Sequence, residues 1–164
     1  MVHRDVTRIF PVAFRWAQVI FVDCTSLQHA TLKQHAGSHP DIIQKVWMEN
    51  PNDIEVIIRF FFRYLRALAP QVLHGDVMVA AFCDGGRHRS LAVSCILQYC
   101  LWMDCFETIE GVWCLNSPHW SVDQCMSDHY CCEFCHFKPE TRSEFYWSQI
   151  RQLYIRLRKE LLGF

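Results

Sequence analysis

DVMVAAFCDGGRHRSLAVSCILQYCLWM, residues 76–103, is the stretch whose reading decides the fold. Its first part, DVMVAAFC (76–83), is an apolar run of strand length, and SLAVSCILQYCLWM (90–103) is an apolar run of helix length. Between them stand Asp84, Gly85 and Gly86, then the basic residues Arg87, His88 and Arg89. A buried strand that turns over a diglycine into a buried helix is one βα unit of an α/β sheet.

The neighbouring segments extend that unit. AQVIFVD (17–23) predicts a second buried strand, and IEGVWCL (109–115) a third. IEVIIRFFFRYLRALA (54–69) predicts a helix on which Glu55, Arg59, Arg63 and Arg66 form one solvated stripe, the remaining surface being apolar. Phe60, Phe61 and Phe62 are then expected in the core. Asn50 suits a cap for this helix, with Pro51 at its first position. TRSEFYWSQIRQLYIRLRKELL (141–162) predicts a long helix opened by a Thr141/Glu144 capping box. Residues 24–53 are polar and rich in His, Gln, Asn and Asp. The expected fold is α/β: a small, mainly parallel sheet flanked by helices, with a Cys/His-rich loop. The three strands end at Asp23, Cys83 and Leu115, and ligands of open α/β sheets sit beyond carboxyl ends of strands. The polar segments that follow those residues are expected along one edge.

The 164 residues suit one domain (1–164), with its core at about 17–116, a Cys/His-rich insert at 114–137 and the C-terminal helix at 141–162. A composition of 51% hydrophobic and 20% charged residues excludes a wholly disordered chain. Sixteen Lys+Arg against 17 Asp+Glu give a formal net charge of −1. No general positive field therefore draws the chain onto nucleic acid or acidic lipid, and such a contact needs a local patch. No run approaches the ~20 apolar residues that span a bilayer, so no membrane partner is expected. The stretch MVHRDVTRIFPVAFRWAQVIFVD is interrupted by Arg4, Asp5, Arg8 and Arg15, unlike a secretory signal. A cytoplasmic or nuclear location follows as the expectation, with thiols reduced.

The turn between residues 83 and 90 carries the chemistry. Gly85 and Gly86 let backbone N–H groups approach an anion, and the helix that opens near Ser90 adds the positive end of its dipole. Arg89 can hold two oxygens of a phosphate with its planar fork, and Arg87 and His88 add donors. The plain alternative is a glycine turn with solvated arginines. Asp84, Gly85, Gly86, Arg87, His88, Arg89 and Ser90 are the candidate ligand-binding residues for a small phosphorylated molecule.

Two classes of function use such a turn. Cys83 to Arg89 has the spacing C-x5-R, followed by Ser90, and looks like the signature of cysteine-dependent phosphatases. In that alternative Cys83 is the nucleophile, Arg89 the phosphate clamp and Asp53 a candidate general acid. Phe82 replaces the His of the tyrosine-phosphatase signature, and Asp84 would repel both thiolate and phosphate.

FCDGGRHRSLAV (82–93) also resembles the C-T-G-G-[KR]-H-R-S-V element in the C-terminal domain of the RapZ (RNase adapter protein) family. The order of strands and helices is similar to that domain across residues 17–116. The resemblance implies a non-catalytic domain that binds a phosphorylated amino sugar, glucosamine-6-phosphate, and takes part in RNA binding linked to oligomer assembly. Gly85, Gly86, Arg87, His88, Arg89 and Ser90 match the family turn, and Asp84 stands where the family has Thr. No counterpart of the family's separate nucleotide-binding domain is expected within these residues. The chain contains no G-x-x-x-x-G-K-[ST], so no nucleotide is expected.

CLNSPHWSVDQCMSDHYCCEFCHF (114–137) concentrates Cys and His. Cys132 and Cys135 form a C-x2-C knuckle, and Cys125 lies seven residues earlier. Such spacing suits tetrahedral zinc, which would order a long loop. The expected set is His119, Cys125, Cys132 and Cys135, with Cys114, His129 and Cys131 as other candidates for the fourth place. Buried thiols or a redox pair are the alternatives. Arg151, Arg156, Arg158 and Lys159 on the last helix form a solvated face or a local RNA contact.

Overall fold

The computed structural model describes residues 18–28, 37–68, 77–84, 88–107 and 145–162. Two parallel strands, β1 (Gln18–Asp23) and β2 (Val77–Phe82), pair from Gln18↔Val77 to Asp23↔Phe82. Helices α1 (Pro40–Glu49) and α2 (Pro51–Leu68) connect them, α3 (Arg89–Glu107) follows β2, and α4 (Phe145–Leu162) ends the chain. The α/β class with a small parallel sheet is as the sequence predicts. The expected strand at 109–115, the loop at 114–137 and the Thr141/Glu144 capping box lie outside the described residues.

Side chains alternate across the strands. Ile20 and Val22 of β1 are buried, and Val79 and Ala81 of β2 pack against the same core. Phe21 and Phe82 point the other way and are exposed. These strands are therefore not enclosed on both faces by the described helices, contrary to the reading of both as buried runs. α2 lies against β1 and α3 against β2, so the helices form a layer on the Ile20/Val22 face. α3 is buried almost all round, from Leu91 to Cys100. This explains an apolar run with no polar stripe. No described helix is long and apolar enough to cross a membrane.

α1 is the element that the polar composition of residues 24–53 conceals. Ile42, Ile43, Val46 and Trp47 supply its buried face at helical spacing, and the rest of it is polar. Asn50 ends this helix rather than capping α2 with its side chain. It is 2% exposed; its Nδ2 donates to Val46 O at 2.9 Å and its Oδ1 accepts from Gln28 N at 2.6 Å. It thus ties the segment after β1 to the α1–α2 corner.

α2 also departs from the sequence reading. Glu55 and Arg59 are half-buried against α4, where Arg59 bonds to Glu55 and Glu160, and Arg156 to Glu55. Arg66 donates to Leu161 O. Only Phe61 of the three phenylalanines is fully buried; Phe62 is half-buried and Phe60 is exposed, stacked on Tyr64. A continuous apolar face is wider than the core contact needs, so Val56, Phe60 and Tyr64 remain in solvent.

Candidate functional site at the carboxyl edge of the sheet

Parallel pairing brings the ends of β1 and β2 together, so residues 23–28 and 83–84 share one edge, as the α/β pattern predicts. At β1, the Asp23 carboxylate accepts from Thr25 N at 2.9 Å and from Thr25 Oγ1 at 2.7 Å. The Thr25 hydroxyl first, and its amide second, hold the Asp23 carboxyl below the usual carboxylate range. Cys24 N donates to Phe82 O at 2.8 Å, carrying the ladder one step past the strands.

At β2, the Cys83 thiol donates to Ser90 Oγ at 3.4 Å. Were the sulfur ionised, the same contact could run in reverse, with the hydroxyl donating to the thiolate. Ser90 lies in the first turn of α3, so the helix start faces the thiol. His88 O accepts from Ala92 N at 2.8 Å and closes that turn. The N–H groups of Arg89, Ser90 and Leu91 lie ahead of this first helical bond.

Arg89 is 7% exposed. Its Nη1 donates to Thr25 O at 2.6 Å and Leu27 O at 2.8 Å, and its Nη2 to Asp84 at 3.2 Å. The guanidinium therefore stitches the segment after β1 to the turn after β2. Among the described residues, three of its five N–H groups have these partners. Sequence reasoning assigns Arg89 to an anion; it does not foresee backbone carbonyls as partners, because these carry no residue signature.

Gly37 closes the edge from a third side. A Cβ there would lie 2.2 Å from His88 O and 2.8 Å from Leu91 Cβ, so only glycine fits without backbone movement. Ser38 and His39 follow, both buried. His39 Nδ1 accepts from Asp41 N at 3.2 Å and caps α1. That bond needs an unprotonated Nδ1, so the 3.8 Å approach of Asp41 Oδ2 to the same atom is no ion pair in this state.

Gly85, Gly86 and Arg87 lie outside the described residues, whereas Asp84, His88, Arg89 and Ser90 are brought together at the edge. Asp84 is exposed, while His88 and Ser90 are buried. Asp53, the general acid of the alternative reading, is exposed in the first turn of α2, where a carboxylate complements the helix dipole. His119, Cys125, Cys132 and Cys135 lie outside the described residues. Among the described residues no cluster of three His, Cys, Asp or Glu could hold a metal ion. Cys24 and Gly37 are the residues that sequence reasoning missed. Cys24 was not legible, since only the strand register, with Asp23 opposite Phe82, places it opposite Cys83.

A groove of about 460 Å³ runs between α1, α2 and α4, lined by Trp47, Pro51, Gln149, Gln152, Leu153 and Arg156. It shares no residue with the sheet edge. Trp47 donates to Gln149 across it at 3.1 Å, and Arg156 is paired with Glu55. These contacts hold helices together and converge on no reactive group, so the edge is the stronger candidate. No family model matches this chain, and no curated protein or solved structure matches it.

Proposed function

We propose that this chain is a non-catalytic α/β domain that binds the phosphate of a small molecule in the turn between β2 and α3. The observation that supports the reading most is the short handover from β2, ending at Phe82, to α3, starting at Arg89. Its six intervening residues include the diglycine and two basic side chains, directly ahead of a helix start. In this reading the Gly85 and Gly86 amides and Arg87 meet the anion. Arg89 braces the edge beside it. Asp84, exposed at the rim, favours a ligand that carries an amine or hydroxyls beside its phosphate. The resemblance to the RapZ C-terminal domain supports an amino-sugar phosphate.

Thermal unfolding of the full chain with glucosamine-6-phosphate, glucosamine and inorganic phosphate tests this. Ligand at a hundred times its Kd stabilises a fold by about 2.7 kcal/mol. For this chain length that is a rise of about 5–10 °C. The phosphosugar should raise the midpoint, glucosamine should not, and Arg87→Ala should abolish the rise. No rise with either phosphate compound would remove the proposal.

The contact between Cys83 and Ser90 favours a second reading, a cysteine-dependent phosphatase with Cys83 as nucleophile. Hydrolysis of p-nitrophenyl phosphate that disappears in Cys83→Ser would put this reading first. A structural zinc at His119, Cys125, Cys132 and Cys135 is proposed from the C-x2-C spacing, and metal analysis of protein never exposed to chelator tests it. An RNA partner would have Arg151 and Lys159, exposed on α4, as contacts, since Arg156 is engaged with Glu55.

A further inference from the structure

We propose that Cys24 and Cys83 form a reversible dithiol–disulfide couple at the carboxyl edge, with Cys83 the thiol that a hydroperoxide attacks and Cys24 the thiol that resolves it.

The ladder supplies the geometry. In a parallel pair, the N–H of one residue bonds the carbonyl that precedes its partner. The bond from Cys24 N to Phe82 O is therefore the bond of a Cys24–Cys83 pair. It continues the register that ends at Asp23↔Phe82. Paired residues of neighbouring strands stand ~4.8 Å apart, inside the range that a disulfide bridges. Both side chains also point the same way. Cys24 continues the inward series Ile20, Val22, and Cys83 continues Val79, Ala81. Both are thiols in this structure.

Their surroundings assign the roles. Cys83 is half-buried beside the Ser90 hydroxyl at the helix start, so a small oxidant reaches it and the thiolate finds a donor. Cys24 is 0% exposed, and its thiol lies 3.8 Å from Val22 O. Burial first, then the nearby Cys83 and Asp23, push the Cys24 thiol up to about 12 against a smaller opposing pull from Arg89. Cys24 is thus shielded from oxidant and protonated until Cys83 has reacted.

In the first step the Cys83 thiolate attacks the hydroperoxide. An S–O bond forms, the O–O bond breaks, and the departing oxygen takes up the proton that the thiol released, giving an alcohol or water. In the second step the Cys24 sulfur attacks the Cys83 sulfur. The S–S bond forms, the S–O bond breaks, and the Cys24 proton leaves with the hydroxyl as water. Two thiols lose two electrons and the peroxide gains them. A dithiol reductant reverses the change by exchange. Once formed, the bond takes the Cys83 sulfur from Ser90.

Peptide mapping decides the matter, because each cysteine falls alone in its tryptic peptide, residues 16–33 for Cys24 and 67–87 for Cys83. The reduced full chain is treated with hydrogen peroxide, alkylated and digested, with dimedone added in parallel to trap sulfenic acid. The expected result is a linked 16–33/67–87 pair that dithiothreitol separates. Cys24→Ser and Cys24→Ala, checked for folding by circular dichroism, should both lose it and accumulate several-fold more dimedone-trapped Cys83. Cys83 oxidised without a link to Cys24, linked to another cysteine, or unreacted while Cys24 is modified would each overturn the proposal. The wild-type map decides even where a variant does not fold.

Discussion

Arg89→Ala should destabilise the protein strongly, although the residue opens α3 directly after a turn that reads as a ligand loop. The bond to Leu27 O is buried, and stripping a buried carbonyl of its donor costs about 1–3 kcal/mol. Thr25 is half-buried, so water can replace part of the second bond, and that loss is nearer ~1 kcal/mol. The Asp84 contact adds little, because that carboxylate side chain is 77% exposed and such pairs contribute ~0–1 kcal/mol. The sum is about 2–5 kcal/mol. For a chain of 164 residues this is a fall in Tm of about 4–20 °C. Urea unfolding followed by circular dichroism reads the free energy, and a thermal scan reads the midpoint. Asp84→Asn is the control, expected within about 0.5 kcal/mol of wild type. Arg89→Lys should recover only part of the loss, since one ammonium cannot reproduce the fork that reaches both carbonyls. If Arg89→Ala unfolds within about 0.5 kcal/mol of wild type, or Asp84→Asn falls as far as Arg89→Ala, Arg89 does not brace this edge.

Gly37→Ala drives a Cβ into His88 O at 2.2 Å, so overpacking should cost about 1–3 kcal/mol and shift the urea midpoint down. Asn50→Ala leaves the Val46 carbonyl and the Gln28 amide without their partner, at a cost of about 2–4 kcal/mol by the same measurement. The Cys24 thiol titrates higher in the fold than in the unfolded chain, where the usual value is 9.0 against about 12 here. Folding favours its protonated form, so this contribution is whole below pH 9 and is lost as pH rises toward 12. Cys24→Ala, compared with wild type by urea unfolding between those pH values, should therefore show a shallower alkaline decline; equal slopes would contradict the assignment.

The two described strands and three of the four described helices were legible because burial writes itself into composition. Residues 76–103 contain strand, turn and helix start as three successive patterns, and the structure has β2 and α3 there. α1 was hidden for the converse reason. Its buried face needs only Ile42, Ile43, Val46 and Trp47, and polar residues on the other side set the average character of the segment. The exposure of Phe60 was not legible, since a run of three phenylalanines spans more of a helix circumference than one packing contact covers. At the edge, the basic residues of the turn were evident, but the task of Arg89 was not. Its partners Thr25 O and Leu27 O lie about sixty residues away and belong to the backbone, which every sequence shares. Gly37 shows its constraint only when α3 is brought against it.

Titration calorimetry of the full chain with glucosamine-6-phosphate, at low and at moderate salt, tests the phosphate site most directly. Saturable binding at one site per chain is expected, weakened by salt and lost in Arg87→Ala while circular dichroism shows the fold retained. A folded wild-type chain that gives no saturable heat up to millimolar phosphosugar and inorganic phosphate would contradict it.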